Sequence, residues 1–106
     1  MSTMITYGSF VKVIAITKTF DPAAVAAITT AEQDVTIEGV KVGDIVIAVN
    51  KPSLTTGVGI VNARVKAADT VSIQFVNPTL GSVDPASETY TFVIGRPEST
   101  KATFSI

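Results

Sequence analysis

The sequence predicts an all-β domain, an antiparallel β-sandwich of jelly-roll type with about seven to eight strands. Three observations carry that expectation. Fifteen Val, eleven Ile and fifteen Thr stand against two Leu, Leu54 and Leu80, and branching at Cβ suits the pleated surface of a sheet better than a helix. Apolar runs alternate with turn signals about every 8–12 residues, the spacing of a sandwich or barrel. Several runs also show the period of two that places alternate side chains on opposite faces of a strand. At 106 residues the chain has the length of one domain. That domain is expected to cover 1–106, with extended assembly arms at 1–9 and 97–106.

The first expected strand is Phe10–Thr19. Asp21–Ile28 (DPAAVAAI) has a capping residue and a Pro suited to a first helical position. It is short and runs at once into Thr29-Thr30, so an extended, irregular segment is the preferred reading. Gln33–Ile37 and Asp44–Asn50 follow as strands. Gly59–Lys66 and Thr70–Val76 alternate: Val61, Ala63 and Val65 share one face against Asn62, Arg64 and Lys66, and Val71, Ile73 and Phe75 oppose Ser72 and Gln74. The joint between these two strands is short enough for an antiparallel hairpin with one core face and one wet face. Asn77-Pro78-Thr79 reads as a turn, Pro78 setting φ and Asn77 bonding the backbone. Thr89–Gly95 and Ala102–Ile106 complete the series.

The stretch EGVKVGDIVIAVNKP raises a separate question. Gly39 and Gly43 supply turn conformations that other residues reach only with strain, and Asp44 can accept hydrogen bonds from the backbone of the turn. Ile45–Val49 is apolar without alternation, which predicts a strand covered on both faces. One cover is this domain's core and the other a loop, a second sheet or another subunit. Ile45, Ile47 and Val49 are therefore candidate assembly residues. Arg64 joins them as an isolated cation suited to surface or intersubunit pairing. Ala102, Phe104 and Ile106 form a terminal strand able to add to a neighbour's sheet edge.

Composition removes several classes of chemistry. Eight Lys plus Arg and nine Asp plus Glu give a formal net charge of −1. No basic run is present to displace counterions from a phosphate backbone, so nucleic acid is not an expected partner. The absence of His and Cys rules out a Ser-His-Asp triad, thiolate chemistry and the usual zinc ligand sets. The acids fall singly on strands or in turns, and no calcium-loop pattern occurs. Gly57-Val58-Gly59 lacks the residues of a phosphate loop. No apolar run approaches the roughly 20 residues that span a bilayer, and the N-terminus lacks the pattern of a signal peptide. No cofactor, metal, catalytic residue or membrane contact is expected.

Glu38–Ile94 resembles, as a whole, a pattern found in small structural proteins of tailed bacteriophages. The matching positions are Gly39, Gly43, Asp44, Val46 and Pro52, then Arg64-Val65, Asp69-Thr70-Val71, Phe75, Asn77-Pro78-Thr79, and the closing Tyr90, Phe92 and Ile94. The last position carries Ile where the pattern has Val. The resemblance implies a virion component without enzymatic activity, most simply a capsid decoration (cement) protein. Such proteins are commonly β-rich homotrimers on the capsid exterior, bound to the major capsid protein at capsomer junctions. The alternative it implies is a head-fibre or tail-associated module that binds a host surface receptor or glycan.

Overall fold

The computed structural model describes residues 10–98. Six strands follow one another: β1 (Phe10–Phe20), β2 (Thr29–Thr36), β3 (Ile45–Asn50), β4 (Gly59–Ala67), β5 (Thr70–Asn77) and β6 (Glu88–Pro97). They form two three-stranded sheets, ordered β1-β6-β3 and β2-β5-β4, and every pairing is antiparallel. The all-β expectation therefore holds, with six strands among the described residues rather than seven to eight. The expected strand Ala102–Ile106 and the arm at 1–9 lie outside the described residues.

Only β4 and β5 are joined as a hairpin; every other connection passes from one sheet to the other. The hairpin turn is tight because Asp69 takes a left-handed conformation (φ 61°), which Asp tolerates better than most residues. Asp21–Ile28 is not helical. Val25 instead forms an isolated antiparallel bridge with Val83, and Thr29-Thr30 already belong to β2. β2 starts earlier than its own pattern indicates because β5 offers partners as far as Asn77.

The two sheets share one core. Val71, Ile73 and Phe75 of β5 and Val35 of β2 face Tyr90, Phe92 and Ile94 of β6, with Val25, Ile37 and Val40 contributed by connections. Fully burying each large side chain contributes about 1.5–3 kcal/mol. Tyr90 stacks on Phe92 with ring centres 6.3 Å apart and meets the edge of Phe20 at 5.6 Å. The inward row of β6 is apolar in its middle and charged at both ends, by Glu88 and by Arg96. Each end charge is paired to the connection that approaches it, Lys51 at one end and Asp44 at the other.

Three edge strands depart from simple alternation. Register shifts leave Val11 in β1, Ile47 in β3, and Val61 and Lys66 in β4 without a directly opposed partner. Each is an extra residue in a β-bulge, which reverses the phase of the strand beyond it. The expected face is corrected at Val61 alone: Ile60 packs on the core and Val61 is 55% exposed, while Ala63 and Val65 stand opposite the core residues Ile73 and Val71 as expected.

Candidate functional site

The Gly-Asp turn is a structural clasp. Gly39 and Gly43 have φ of 97° and 103°, values open to Gly without the Cβ clash that other residues suffer. With the turn so bent, the Lys41 N–H donates to Asp44 Oδ2 and the Asp44 N–H returns a bond to the Lys41 carbonyl. Arg96 then grips the same carboxylate, Nε to Oδ1 at 2.9 Å and Nη2 to Oδ2 at 2.7 Å, and its Nη2 also donates to the Gly39 carbonyl. From the other sheet, Asp69 Oδ1 accepts the Gly39 N–H and the Asp69 N–H donates to the Val40 carbonyl. The connection between β2 and β3 is thus pinned to both sheets. Asp44 is held below its ordinary carboxylate range, first by the Arg96 hydrogen bonds. Both of its oxygens are occupied.

The other sequence-marked turn is equally structural. Asn77 is fully buried, and its amide nitrogen donates to the carbonyls of Val25 and Gly81 while its oxygen accepts from the Thr79 N–H and hydroxyl. It ties the segment before β2 to the turn after β5, which begins at Pro78. At the far end of β6, Lys51 Nζ lies 2.7 Å from Glu88 Oε2, and Ser53 donates to Glu88 Oε1. Lys51 also donates to the Ser53 carbonyl and the Thr55 hydroxyl. Glu88 is consequently lowered, chiefly by Lys51 and then by Ser53.

The outer face of β2-β5-β4 is wet and neutralised in place. Arg64 makes a two-pronged pair with Glu32, Nε to Oε2 at 2.7 Å and Nη2 to Oε1 at 2.8 Å. Lys66 pairs with Asp34 at 3.1 Å, and the Ser72 hydroxyl donates to Asp34. Glu32 is lowered chiefly by Arg64, and Asp34 chiefly by Ser72 and then by Lys66.

The outer face of β1-β6-β3 differs in kind. Register places Val13, Gly95 and Ile45 in one row, Ala15, Val93 and Ala48 in the next, and Thr17, Thr91 and Asn50 beyond them. None of the residues that register and alternation assign to this face is charged. Val11, Val13, Ile45 and Ile47 are each between 48% and 63% exposed. Gly95 is bare, and the Phe10 ring and the Ile47 side chain close over it, which turns a notch into a continuous apolar surface.

The structure brings Ile45 and Ile47 together on this face and separates the other candidates from them. Val49 packs against the core, because the bulge at Ile47 shifts the phase of β3. Of the two covers expected for Ile45–Val49, the core supplies one, over Val46 and Val49, while Ile45 and Ile47 are 48% exposed on the other face. Arg64 lies on the outer face of the opposite sheet. Ala102, Phe104 and Ile106 lie outside the described residues. Sequence reasoning missed Phe10, Val13 and Gly95. The signal for Val13 was the odd-numbered set Val11, Val13, Ala15, Thr17 and Thr19, in which both lysines of β1 fall on the other parity; Phe10 and Gly95 lie outside that set.

Among the described residues no three metal-ligating side chains converge. A cleft of about 140 Å³ lies between Ile14, Ile16, Val40 and Ile94 and ends at the Asp44–Arg96 pair. That is below the roughly 300 Å³ at which small-molecule sites begin; Lys12 and Glu38 line it as well, and its Asp44 and Arg96 are joined to one another. A larger hollow of about 450 Å³ lies open on the surface along Val49–Thr55. Comparison with known proteins finds no matching family model, no matching curated relative and no matching solved structure.

Proposed function

We propose that this protein is a non-enzymatic virion structural protein, a capsid decoration (cement) protein that works as a homotrimer on the exterior of a phage head. In this reading its two sheets are a sandwich of the jelly-roll kind. Its partners are further copies of itself and the major capsid protein. The observation that carries the reading is the contrast between the two outer faces. One face neutralises its charges internally through Glu32–Arg64 and Asp34–Lys66, and the other is uncharged and half-exposed around Val13, Ile45 and Ile47. The resemblance of Glu38–Ile94 to phage structural proteins supports the same reading.

The mechanism is physical. Each subunit adds contact area across a capsomer joint at roughly 25 cal/mol per Å² of apolar surface, less the cost of ordering the partners. Repetition around a shell multiplies a small increment into resistance to internal pressure. Labelling intact virions with an antibody to this protein tests the proposal. Label over the heads supports it. Label over tails overturns it in favour of a receptor- or glycan-binding module, and unlabelled virions overturn both.

A further inference from the structure

We infer that the outer face of β1-β6-β3 is the surface through which copies of this chain meet. The inference deepens the homo-oligomer part of the proposed function and rests on it, but it assigns the contact to a particular face. An isolated β-sheet face in water normally alternates with polar and charged residues. Here the face runs the length of an eleven-residue strand without a charge, apolar from Phe10 to Ala15 and threonine-rich beyond. Contiguous exposed apolar surface of this kind marks an interaction site.

Two arguments identify the occupant as a second copy. The first is electrostatic. When copies meet through the same face about a symmetry axis, a residue close to that axis lies beside its own counterpart, so a charge there faces a like charge. A face with no charges has no such penalty, and the net charge of −1 adds little repulsion between whole subunits. The second is size. β1 and β6 run about 35 Å and β3 about 20 Å, spaced about 4.8 Å apart, so the face presents roughly 430 Å² and contact between two copies buries on the order of 850 Å², the size of a small specific interface. The bulges at Val11 and Ile47 aim additional β-branched side chains toward that contact, and Phe10 with Ile47 levels the surface over Gly95. The charge-paired face of the other sheet stays outward.

The test is the native mass of the full chain by size-exclusion chromatography with light scattering, for the wild type and for Val13→Lys. Val13 is half-exposed on an edge strand, so the variant retains its core. The expected result is a wild-type mass that is a multiple of the 11.0 kDa chain, falling to a single chain in Val13→Lys with an unchanged circular dichroism spectrum. Because the chain has no native Cys, Ala15→Cys provides a second reading without added charge. Its thiol is expected to react with a maleimide roughly tenfold more slowly at concentrations where copies associate than at dilution, whereas Thr30→Cys on the opposite sheet keeps one rate. A wild type that is monomeric at every concentration overturns the inference. So does an oligomer that survives Val13→Lys with Ala15→Cys still fully reactive, and in that case self-assembly stands while this face is excluded. Virion labelling is blind to all of these outcomes, so the two proposals fail separately.

Discussion

Asp44 and Arg96, 52 positions apart, meet through two parallel hydrogen bonds of 2.9 and 2.7 Å. The Asp44 side chain is only 5% exposed, and the pair closes one end of the core. Charge-assisted, two-pronged pairs are the strong class of hydrogen bond, and removing one member leaves the other short of partners. Asp44→Ala is expected to destabilise the fold by about 1–2 kcal/mol, a value discounted for the water that reaches Arg96. Urea unfolding followed by circular dichroism measures it.

The same pair sets a pH dependence. Glu32, Asp34, Asp44 and Glu88 all lie below their ordinary values of 4.5 or 3.8, through Arg64, Ser72, Arg96 and Lys51 respectively. A carboxylate lowered by folding adds stability that is complete above its unfolded pKa and is lost as pH falls through its folded one. The urea midpoint is therefore expected to be level from neutral pH down to about 5 and to fall below it. Asp44→Asn removes one of the four contributions, so its midpoint is lower at pH 7 and its acid-side decline shallower. A decline as steep as that of the wild type would remove Asp44 from this account.

Much of the fold is legible in the sequence because strand chemistry is local. Every described strand overlaps an expected one, and the β4–β5 hairpin follows from two alternating runs and a short turn. The Gly39–Asp44 and Asn77–Thr79 turns are legible for the same reason, since Gly and Asx residues act on their own backbone. What escapes is relational. Nothing near Asp44 names Arg96, and nothing near Arg64 names Glu32, because those pairs exist only once the strands are in register. The bulges at Ile47 and Val61 escape too. No local pattern marks them, and each moves its neighbours to the opposite face. The uncharged parity of β1 was visible, but only β6 and β3 beside it turn one strand's pattern into a surface.

Gly95 and Phe10 offer a third prediction. A Cβ built on Gly95 would lie 2.6 Å from Phe10 Cε1 and 3.0 Å from Ile47 Cδ1, closer than packed side chains tolerate. Overpacking of this kind costs typically about 1–3 kcal/mol, and Gly95→Ala is expected near the lower end because a ring on the strand's first residue can swing aside. A double-mutant cycle isolates the contact. In a Phe10→Ala background, Gly95→Ala should cost close to nothing. Equal cost in both backgrounds would place the clash at the Ile47 side chain instead.

Tyr90 is completely buried between Phe92 and Phe20, and its hydroxyl has no hydrogen-bond partner among the described residues. Burial, with a smaller contribution from Glu88, raises its pKa to about 12. An unpaired buried hydroxyl costs about 1–3 kcal/mol. Tyr90→Phe keeps the rings and removes that cost, so it should be neutral or raise stability by about 1 kcal/mol. Tyr90→Ala should lose about 3–5 kcal/mol through the cavity it leaves. Thermal unfolding of the two variants separates the ring from the hydroxyl.

Ile28 carries the last prediction. It has φ of 50° and is 66% exposed, and its N–H donates to the Thr79 carbonyl at 3.1 Å. A β-branched residue in the left-handed region is strained by about 1–2 kcal/mol, and little of its side chain is buried in return. The position persists because the Val25–Val83 bridge before it and the Thr29–Asn77 pairing after it fix where the chain must turn. Asn adopts the same conformation at much lower cost and keeps the N–H. Ile28→Asn is therefore expected to raise stability by about 1 kcal/mol, whereas Ile28→Val, equally branched, should leave it unchanged. If Ile28→Asn destabilises instead, the exposed side chain is covered in the assembled protein. Repeating the measurement at a concentration where the protein is monomeric would show which.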